Sequence, residues 1–309
     1  MPFTFRPAKR ENTPLIIGIA GPTKSGKTMS ALRLAAGLTD QPDRIYMLNA
    51  EGARGEQYAD WFLAKYGKQY QNCNIEAPYS PERYTEALLD MAKLKPAVAI
   101  IDSASHMHDG PGGLLEYHDA ELQRIAGSNQ EKRDKSNFTA WIRPKAAENK
   151  FIYTMLGIEC PVILCFRAKE KMKIVGGKPI DLGWQPIAGE RITFETIFTL
   201  VLPPQSRGVP DLELSEMREP FDSMVPARKP IDENLGRELM KWSRGTTPED
   251  PEVGRVRISI KMAESLQDLA SIGAVVTMLS DAQKSVIRPL YAARKKELEA
   301  ALIEEPAQQ

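Results

Sequence analysis

Residues 15–38, LIIGIAGPTKSGKTMSALRLAAGL, decide the fold that we expect for this chain. The stretch opens with LIIGIA, a short apolar run, and passes through a glycine-rich turn. It continues into MSALRLAAGL, where apolar residues recur at helical spacing. The stretch therefore predicts a buried strand, a loop and a helix in direct succession.

The alternation of strands and helices continues along the chain. Strand-like runs lie at 44–50, 97–102 and 161–166, and residues 192–202 contain another. Helical runs lie at 56–66, 81–94 and 150–157. Strands that alternate with helices imply right-handed crossovers and a mostly parallel sheet covered on both faces. We therefore predict an α/β fold with a mostly parallel central sheet.

Shifts in composition divide the chain into four segments. Residues 1–13 are polar and basic and predict an extended N-terminal arm, and residues 14–243 hold the α/β core. The stretch 244–254, RGTTPEDPEVG, is typical of a linker. Residues 255–309 have helical periodicity and predict a small C-terminal helical module, in which Pro289 must kink the last helix or begin a new one.

Composition and charge exclude several classes of protein. The 309 residues contain 41 Lys and Arg against 41 Asp and Glu, so no global positive field attracts nucleic acid. Three scattered cysteines argue against a disulfide framework or a CxxC metal site, and they favour a reducing compartment. No apolar run reaches the roughly 18–20 residues of a membrane span, and MPFTFRPAKREN lacks the apolar core of a signal peptide. We expect a cytoplasmic protein without a membrane partner.

The segment GPTKSGKT, residues 21–28, matches the pattern GxxxxGK[ST] between the predicted strand and helix. In this pattern, backbone N–H groups turn toward phosphate oxygens, and the following helix adds its positive end. Lys27 is expected to reach the β- and γ-phosphates, and Thr28 to supply a hydroxyl to Mg²⁺. The predicted nucleotide-contacting residues are Gly21, Pro22, Thr23, Lys24, Ser25, Gly26, Lys27, Thr28 and Met29.

Two acidic residues follow predicted strands. Asp102 ends AVAIID and is a candidate second ligand for Mg²⁺ beside Thr28, although an acid after an apolar strand is also common as a turn residue. Glu51 follows the strand at 44–50, so it should lie at the same sheet edge. It is a candidate base or water-orienting group. The residues alone leave open whether Glu51 is instead a helix N-terminal acid that the helix dipole stabilises.

In this order and spacing, the motifs resemble the RecA-like P-loop ATPase core over residues 14–204. The residues that carry the resemblance are GPTKSGKT, NAEGARGEQYAD, AVAIIDS, PVILCFRAKEK and AGERITFETIFTLVL. The stretch IIDSASHMHDGPGGLLE is especially similar to ATP-binding proteins of tailed phages, including the AAA-type proteins and the Sak-type single-strand annealing ATPases. The resemblance implies ATP and Mg²⁺ as ligands, a homo-oligomeric ring or filament, and the host cytoplasm if the chain is phage-encoded.

The resemblance also implies roles for individual residues. Lys27 and Thr28 match the Walker A pair, and Asp102 matches the Walker B aspartate. Glu51 lies 24 residues after Lys27, where RecA-like proteins have the glutamate that polarises the attacking water. Arg167 occupies the sensor position, where recombinases often have Gln and the phage relatives often have Arg.

Two stretches concentrate positive charge where RecA-like recombinases have DNA-binding loops. Residues 131–150 hold six Lys or Arg and three acids, net +3, and residues 167–178 hold five and one, net +4. Such residues bind phosphates without sequence preference, and aromatic side chains stack on unpaired bases. The alternative is an amphipathic helix whose basic residues form the solvated face opposite its apolar core. The candidate DNA-binding residues are Arg143, Lys145, Lys171, Lys173, Lys178 and Trp184, with Phe138 and Trp141 as further stacking candidates.

Two further clusters leave alternatives open. Lys169 and Lys171 are candidate fingers on a neighbouring subunit's nucleotide, or part of a solvated basic turn. The residues His106, His108, Asp109 and His118 match part of a zinc site, but His106 fits better as a residue that shapes the nucleotide or DNA loop.

These features predict an ATP-hydrolysing, phage-type recombination protein that binds single-stranded DNA and promotes annealing or strand exchange. The C-terminal YAARKKELEAAL is a candidate site for a single-strand-binding protein, or a packing cap. The alternative function is that of a helicase-loader or protein-remodelling ATPase with a protein client in DNA replication. Hydrolysis by such an ATPase would respond to that protein and not to DNA.

Overall fold

The computed structural model describes residue 10 and residues 12–176, 178–245 and 251–303. The chain divides into two compact units, residues 1–245 and 246–309. Most of the predicted arm, and residues 246–250 of the predicted linker, lie outside the described residues.

Over the described residues, the first unit is built on one eight-stranded sheet. Its strands are β1 (Ile16–Gly21), β2 (Ile45–Asn49), β3 (Gln71–Asn74), β4 (Val98–Asp102), β5 (Val162–Val175), β6 (Lys178–Pro186), β7 (Phe198–Val201) and β8 (Asp211–Glu216). Its helices are α1 (Lys27–Leu38), α2 (Ala59–Tyr66), α3 (Pro81–Lys93), α4 (His106–Asp109), α5 (Leu114–Ala126), α6 (Gln130–Ala140), α7 (Ile142–Leu156), α8 (Glu190–Phe194), α9 (Phe221–Met224) and α10 (Glu233–Ser243).

The strand order is β3-β2-β4-β5-β1-β7-β8, and β6 pairs with β5 outside this path. The neighbours from β3 to β7 are parallel, whereas the β5–β6 and β7–β8 pairs are antiparallel. The predicted α/β fold with a mostly parallel sheet is therefore confirmed.

Alternate residues of the central strands supply two separate cores. Ile17 and Ile19 of β1 join the core under α1, α2 and α10, while Ile16 and Ala20 face the other core under α3 and α7. Successive side chains of a strand point to opposite faces, so a strand covered on both sides is apolar throughout. The burial of all six residues of β1 follows from this position.

Several elements differ from the sequence-based expectation. The edge strands β3, QNCN, and β8, DLELSE, are polar and were not predicted. One side of an edge strand has no strand neighbour, so such strands lack the apolar signal of central ones. Residues 52–58, partly predicted as helix, form a 3-10 turn before α2. The strand predicted within 192–202 is β7, and the first residues of that run belong to α8.

The second unit has three described helices, α11 (Pro251–Met262), α12 (Leu266–Met278) and α13 (Asp281–Ile303). Helix α11 begins inside the predicted linker, so the linker prediction was wrong from Pro251 onward. Pro289 lies inside α13, which continues through it. Among the described helices, none combines the length and the apolar character that a membrane crossing requires.

Candidate functional site

A cleft of about 490 Å³ opens at the carboxyl edge of the parallel sheet. The register of the strands explains why the predicted residues meet there. Asn49 of β2 lies opposite Asp102 of β4, Asp102 lies opposite Cys165 of β5, and Gly21 of β1 lies opposite Arg167. The lining residues are Thr23, Lys24, Gly26, Lys27, Thr28, Glu51, Arg54, Gly55, Gln57, Tyr58, Asp102 and Arg167.

The 21–28 loop joins β1 to α1 and depends on a glycine at its end. Gly26 has φ 101°, a left-handed conformation, and a Cβ atom there would lie 2.7 Å from the Gly208 nitrogen. Helix α1 begins at the next residue, with no side-chain cap and no acid in its first turn. The first N–H groups of a helix lack intrahelical partners, so this end of α1 suits an anion in the cleft.

Three side chains meet at the base of the loop. The Thr28 hydroxyl donates a hydrogen bond to Asp102 Oδ2 at 2.5 Å, and Lys27 Nζ donates to the Pro22 carbonyl at 3.1 Å. Asp102 is 2% exposed. Burial raises the pKa of its carboxyl above the ordinary value, while the Thr28 hydrogen bond and the Lys27 charge oppose the rise. A cation near Asp102 would favour the ionised carboxylate.

Glu51 enters the cleft from the turn that follows β2. Arg54 Nη1 contacts its Oε2 atom at 3.3 Å, and the Glu51 backbone N–H donates to Asn49 Oδ1 at 3.0 Å. Glu51 and Asp102 therefore line one cleft from neighbouring strands, as the sequence predicted.

Arg167 reaches the cleft from β5. Its backbone N–H donates to Ser105 Oγ at 2.8 Å, and its carbonyl accepts from the Ile187 N–H at 2.7 Å. These bonds join the middle of β5 to the turn after Asp102 and to the segment that follows β6. The position of Arg167 is thus fixed by backbone contacts, while its side chain is exposed.

Four residues predicted to contact the nucleotide do not line the cleft. They are Gly21, Pro22, Ser25 and Met29. A Cβ atom on Gly21 would lie 2.5 Å from Ser25 Oγ, so Gly21 serves the close packing of the loop. The Ser25 hydroxyl is buried and has no hydrogen-bond partner.

The sequence missed a group of residues on the other wall. They are Arg54, Gly55, Gln57 and Tyr58. Much of this segment was predicted as helix, whereas the 3-10 turn at residues 52–58 directs it toward the cleft. Burial raises the pKa of the Tyr58 hydroxyl, with a further contribution from the Asp102 charge. The sequence signal that could have identified these residues was their closeness to Glu51 along the chain.

The first basic stretch forms two helices rather than the expected loop. Arg143 Nη1 contacts Glu121 Oε1 at 3.0 Å, and Lys145 Nζ lies 5.7 Å from the centre of the Trp141 ring. That ring stacks on His118 with the centroids 4.3 Å apart, so at least one face is covered. Phe138, in contrast, is 88% exposed. A local signal favours a helix here, because the Asn129 side chain caps the start of α6.

The second basic stretch is also not a loop, because β5 and β6 pair beyond the cleft as a two-stranded ribbon, residues 168–186. Lys173 lies on one face of the ribbon, and Lys169 and Lys171, before and at a register shift between Glu170 and Met172, are exposed as well. Lys178 pairs with residue 175, so it lies on that same face. Trp184, at the base of the ribbon, packs partly buried against the core. The Trp184 ring is therefore only partly exposed for stacking on a base.

The histidines do not form a metal centre. His118 Nε2 lies 3.2 Å from the Asn137 carbonyl, while the His106 ring contacts Tyr79 with centroids 4.9 Å apart. Among the described residues, no three His, Cys, Asp or Glu side chains are arranged to hold a metal ion. The zinc alternative is thus unsupported.

The Thr28 hydroxyl and the Asp102 carboxylate fit a different kind of metal site. Mg²⁺ commonly takes one or two protein oxygens and completes its shell with water and substrate phosphate. The uncapped start of α1 offers backbone donors for that phosphate.

The chain matches no protein-family model and no curated protein. The chemistry of the cleft therefore follows from its geometry alone.

Proposed function

We propose that this chain is a Mg²⁺-dependent, RecA-like P-loop ATPase that binds single-stranded DNA and promotes annealing or strand exchange. The observation that carries the ATPase proposal is the contact between Thr28 and Asp102 beside an uncapped helix start. The sequence resemblance to phage ATPases supports the choice of ATP and of a homo-oligomer.

The charges of the cleft agree with a Mg²⁺-bound nucleoside triphosphate. Lys24, Lys27, Arg54 and Arg167 contribute four positive charges, against the two carboxylates Glu51 and Asp102. A triphosphate with one divalent cation leaves an excess of negative charge that such a surplus of cations would balance. The same set would bind an uncharged ligand poorly.

Each residue has a role that its contacts support. Bound Mg²⁺ would neutralise charge on the transferring phosphoryl group. Thr28 and Asp102 would hold that ion, and Lys27 would exchange the Pro22 carbonyl for phosphate oxygens. Glu51 would orient the attacking water and accept its proton, and Arg167 would bind the terminal phosphate from β5.

The lysine face of the ribbon supports single-stranded DNA as the second ligand. Four exposed lysines lie on or beside this face, and within the described part of the chain none of them makes an ion pair. Such lysines can bind phosphates, and their affinity for single-stranded DNA falls as the salt concentration rises. The ribbon begins one residue beyond Arg167, which offers a short connection between DNA and the cleft.

The opposite face of the ribbon favours the second candidate function. Met172 and Ile174 alternate with the lysines and are 74% and 75% exposed. Exposed apolar side chains on a projecting element are typical of protein contacts. A protein client, as for a helicase loader, would use this face.

Hydrolysis of ATP with Mg²⁺ tests the ATPase proposal, and single-stranded DNA binding with an ATP analogue across a salt series tests the DNA proposal. We expect Mg²⁺-dependent hydrolysis and binding that is strongest at low salt. No hydrolysis would contradict the first proposal. Hydrolysis without DNA binding at low salt, but with stimulation by a replication protein, would favour the protein client.

A further inference from the structure

Asn49, the last residue of β2, is fully buried beside the cleft. It lies opposite Asp102 in the sheet and two residues before Glu51. A buried amide that lacks partners is costly, so its contacts constrain whatever they touch. The contacts of Asn49 fall on the segment that carries Glu51.

Both ends of the Asn49 amide bind the turn. Its Oδ1 atom accepts the Glu51 backbone N–H at 3.0 Å, and its Nδ2 group donates to the Gly52 carbonyl. The same Nδ2 group donates to Asn74 Oδ1 of β3 at 2.7 Å. One side chain therefore fixes the backbone on both sides of the Glu51 peptide and ties it to the sheet.

The rest of the turn closes over this amide. A Cβ atom on Gly55 would lie 2.5 Å from Asn49 Nδ2, so the turn fits only because glycine stands there. The Gly55 carbonyl accepts a hydrogen bond from the Tyr70 hydroxyl, and Asn74 Nδ2 donates to Glu56 Oε1 at 2.9 Å. The network runs from the edge strand to the start and the middle of the 3-10 turn.

We infer that Asn49 is a positioning residue for Glu51, an inference that rests on the proposed ATPase function. Asparagine suits the position because it combines an acceptor for one N–H with donors for two carbonyl-type oxygens. Aspartate has the same shape but sets carboxylate oxygens against both acceptors. Leucine has a similar size but makes none of these bonds.

The test compares Asn49→Leu and Asn49→Asp, each with and without Glu51→Gln. We expect kcat for ATP hydrolysis to fall roughly 10–100-fold in each single Asn49 variant, because small displacements of a catalytic group have effects of this size. The Kd of a fluorescent ADP analogue should change little. In the Glu51→Gln background, the Asn49 changes should cause little further loss, because residues that act as one unit are not additive.

Thr85→Val is the matched control for a lost buried hydrogen bond. The Thr85 hydroxyl donates to the Pro81 carbonyl at 2.7 Å inside α3, and the residue does not line the cleft. It should lower Tm without lowering kcat per nucleotide-binding site. The same normalisation to bound ADP analogue removes unfolded protein from the Asn49 data.

An unchanged kcat in the folded Asn49 variants would overturn the inference, and so would a loss that multiplies fully with that of Glu51→Gln. If Asn49→Leu does not fold, the isosteric Asn49→Asp gives the same decision. Failure of the proposed function has a separate signature, namely a wild-type protein that does not hydrolyse ATP or a Glu51→Gln variant as active as wild type.

Discussion

Strand β5 contributes cationic side chains to both the cleft and the ribbon, but the surroundings of these side chains differ. Arg167 enters a cleft in which Thr28, Asp102 and Glu51 each contact another polar group. From Lys169 to Lys173, in contrast, the strand presents lysines to solvent on an exposed ribbon. The polar groups of the cleft are thus held by contacts with one another, whereas the ribbon lysines make no ion pair within the described part of the chain.

In the cleft, the effect of a residue should depend on its position, whereas on the ribbon it should depend on how many lysines are present. Fixed groups act through their positions, so one substitution should have a large effect on chemistry. Free lysines act through summed attraction to phosphate, so each should contribute a small and similar share.

The largest effect is expected in the cleft. Glu51→Gln keeps the size of the side chain but removes its capacity to accept a proton, so kcat for ATP hydrolysis should fall by about 10²–10⁴-fold. The affinity for an ADP analogue should stay close to that of wild type. Steady-state kinetics and nucleotide titration measure both quantities, and a nearly unchanged kcat would break the contrast with the ribbon.

A structural contact behind the cleft should give the next effect. Glu233 binds Arg33 at 2.9 Å and Lys65 at 2.6 Å, and the Tyr66 hydroxyl donates to it at 2.5 Å. The carboxylate thus joins α10 to α1 and α2. Because the group is partly exposed, Glu233→Gln should lower the free energy of unfolding by about 2 kcal/mol, or roughly 4–8 °C in Tm.

The pH dependence of this effect has a definite sign. Burial alone raises the pKa of Glu233, but the hydrogen bonds from Arg33, Lys65 and Tyr66 outweigh it and hold that pKa well below the ordinary value. The stabilisation is complete above the ordinary glutamate pKa and is lost as the pH falls toward the lowered one. Thermal unfolding from neutral to acid pH should show the wild-type advantage shrinking, whereas a constant difference would argue against the ion pairs.

On the ribbon, the effect should build up in steps. Each of Lys171→Ala, Lys173→Ala and Lys178→Ala should reduce the slope of log affinity against log salt by about 0.7, and the triple variant by roughly 2. Basal ATP hydrolysis should stay unchanged. A salt series of single-stranded DNA binding measures the slopes, and a single lysine that accounts for the whole loss would show that geometry also governs the ribbon.

The smallest effect is expected at the helices of the first basic stretch. Arg143 already contacts Glu121, so Arg143→Ala should leave the salt slope almost unchanged, unlike any single ribbon variant. The comparison uses the same DNA and salt series. A slope change equal to that of Lys173→Ala would restore this region as part of the DNA surface.

The central strands and the residues at their carboxyl ends could be predicted because local signals agree with the fold. β1, β2 and β4 are short apolar runs, and a polar residue of the cleft lies at the end of each or two residues beyond it: Thr23, Glu51 and Asp102. The edge strand β3 could not be predicted because QNCN is polar throughout, and β8 was missed because its only strand signal is the alternation of Leu212 and Leu214 in an acidic stretch. The basic stretches show the converse limit, since charge counts do not say which cations already have partners.

The strand, loop and helix of residues 16–38, the mostly parallel sheet, and the meeting of Lys27, Thr28, Glu51 and Asp102 at one edge could be read from the sequence. These follow from apolar periodicity and from the common direction of parallel strands. The contacts of Asn49 and Asn74 with the Glu51 turn, and the pairing of the second basic stretch as a ribbon, depend on the tertiary structure. Such features depend on cross-strand register, which brings together residues whose spacing along the chain carries no signal.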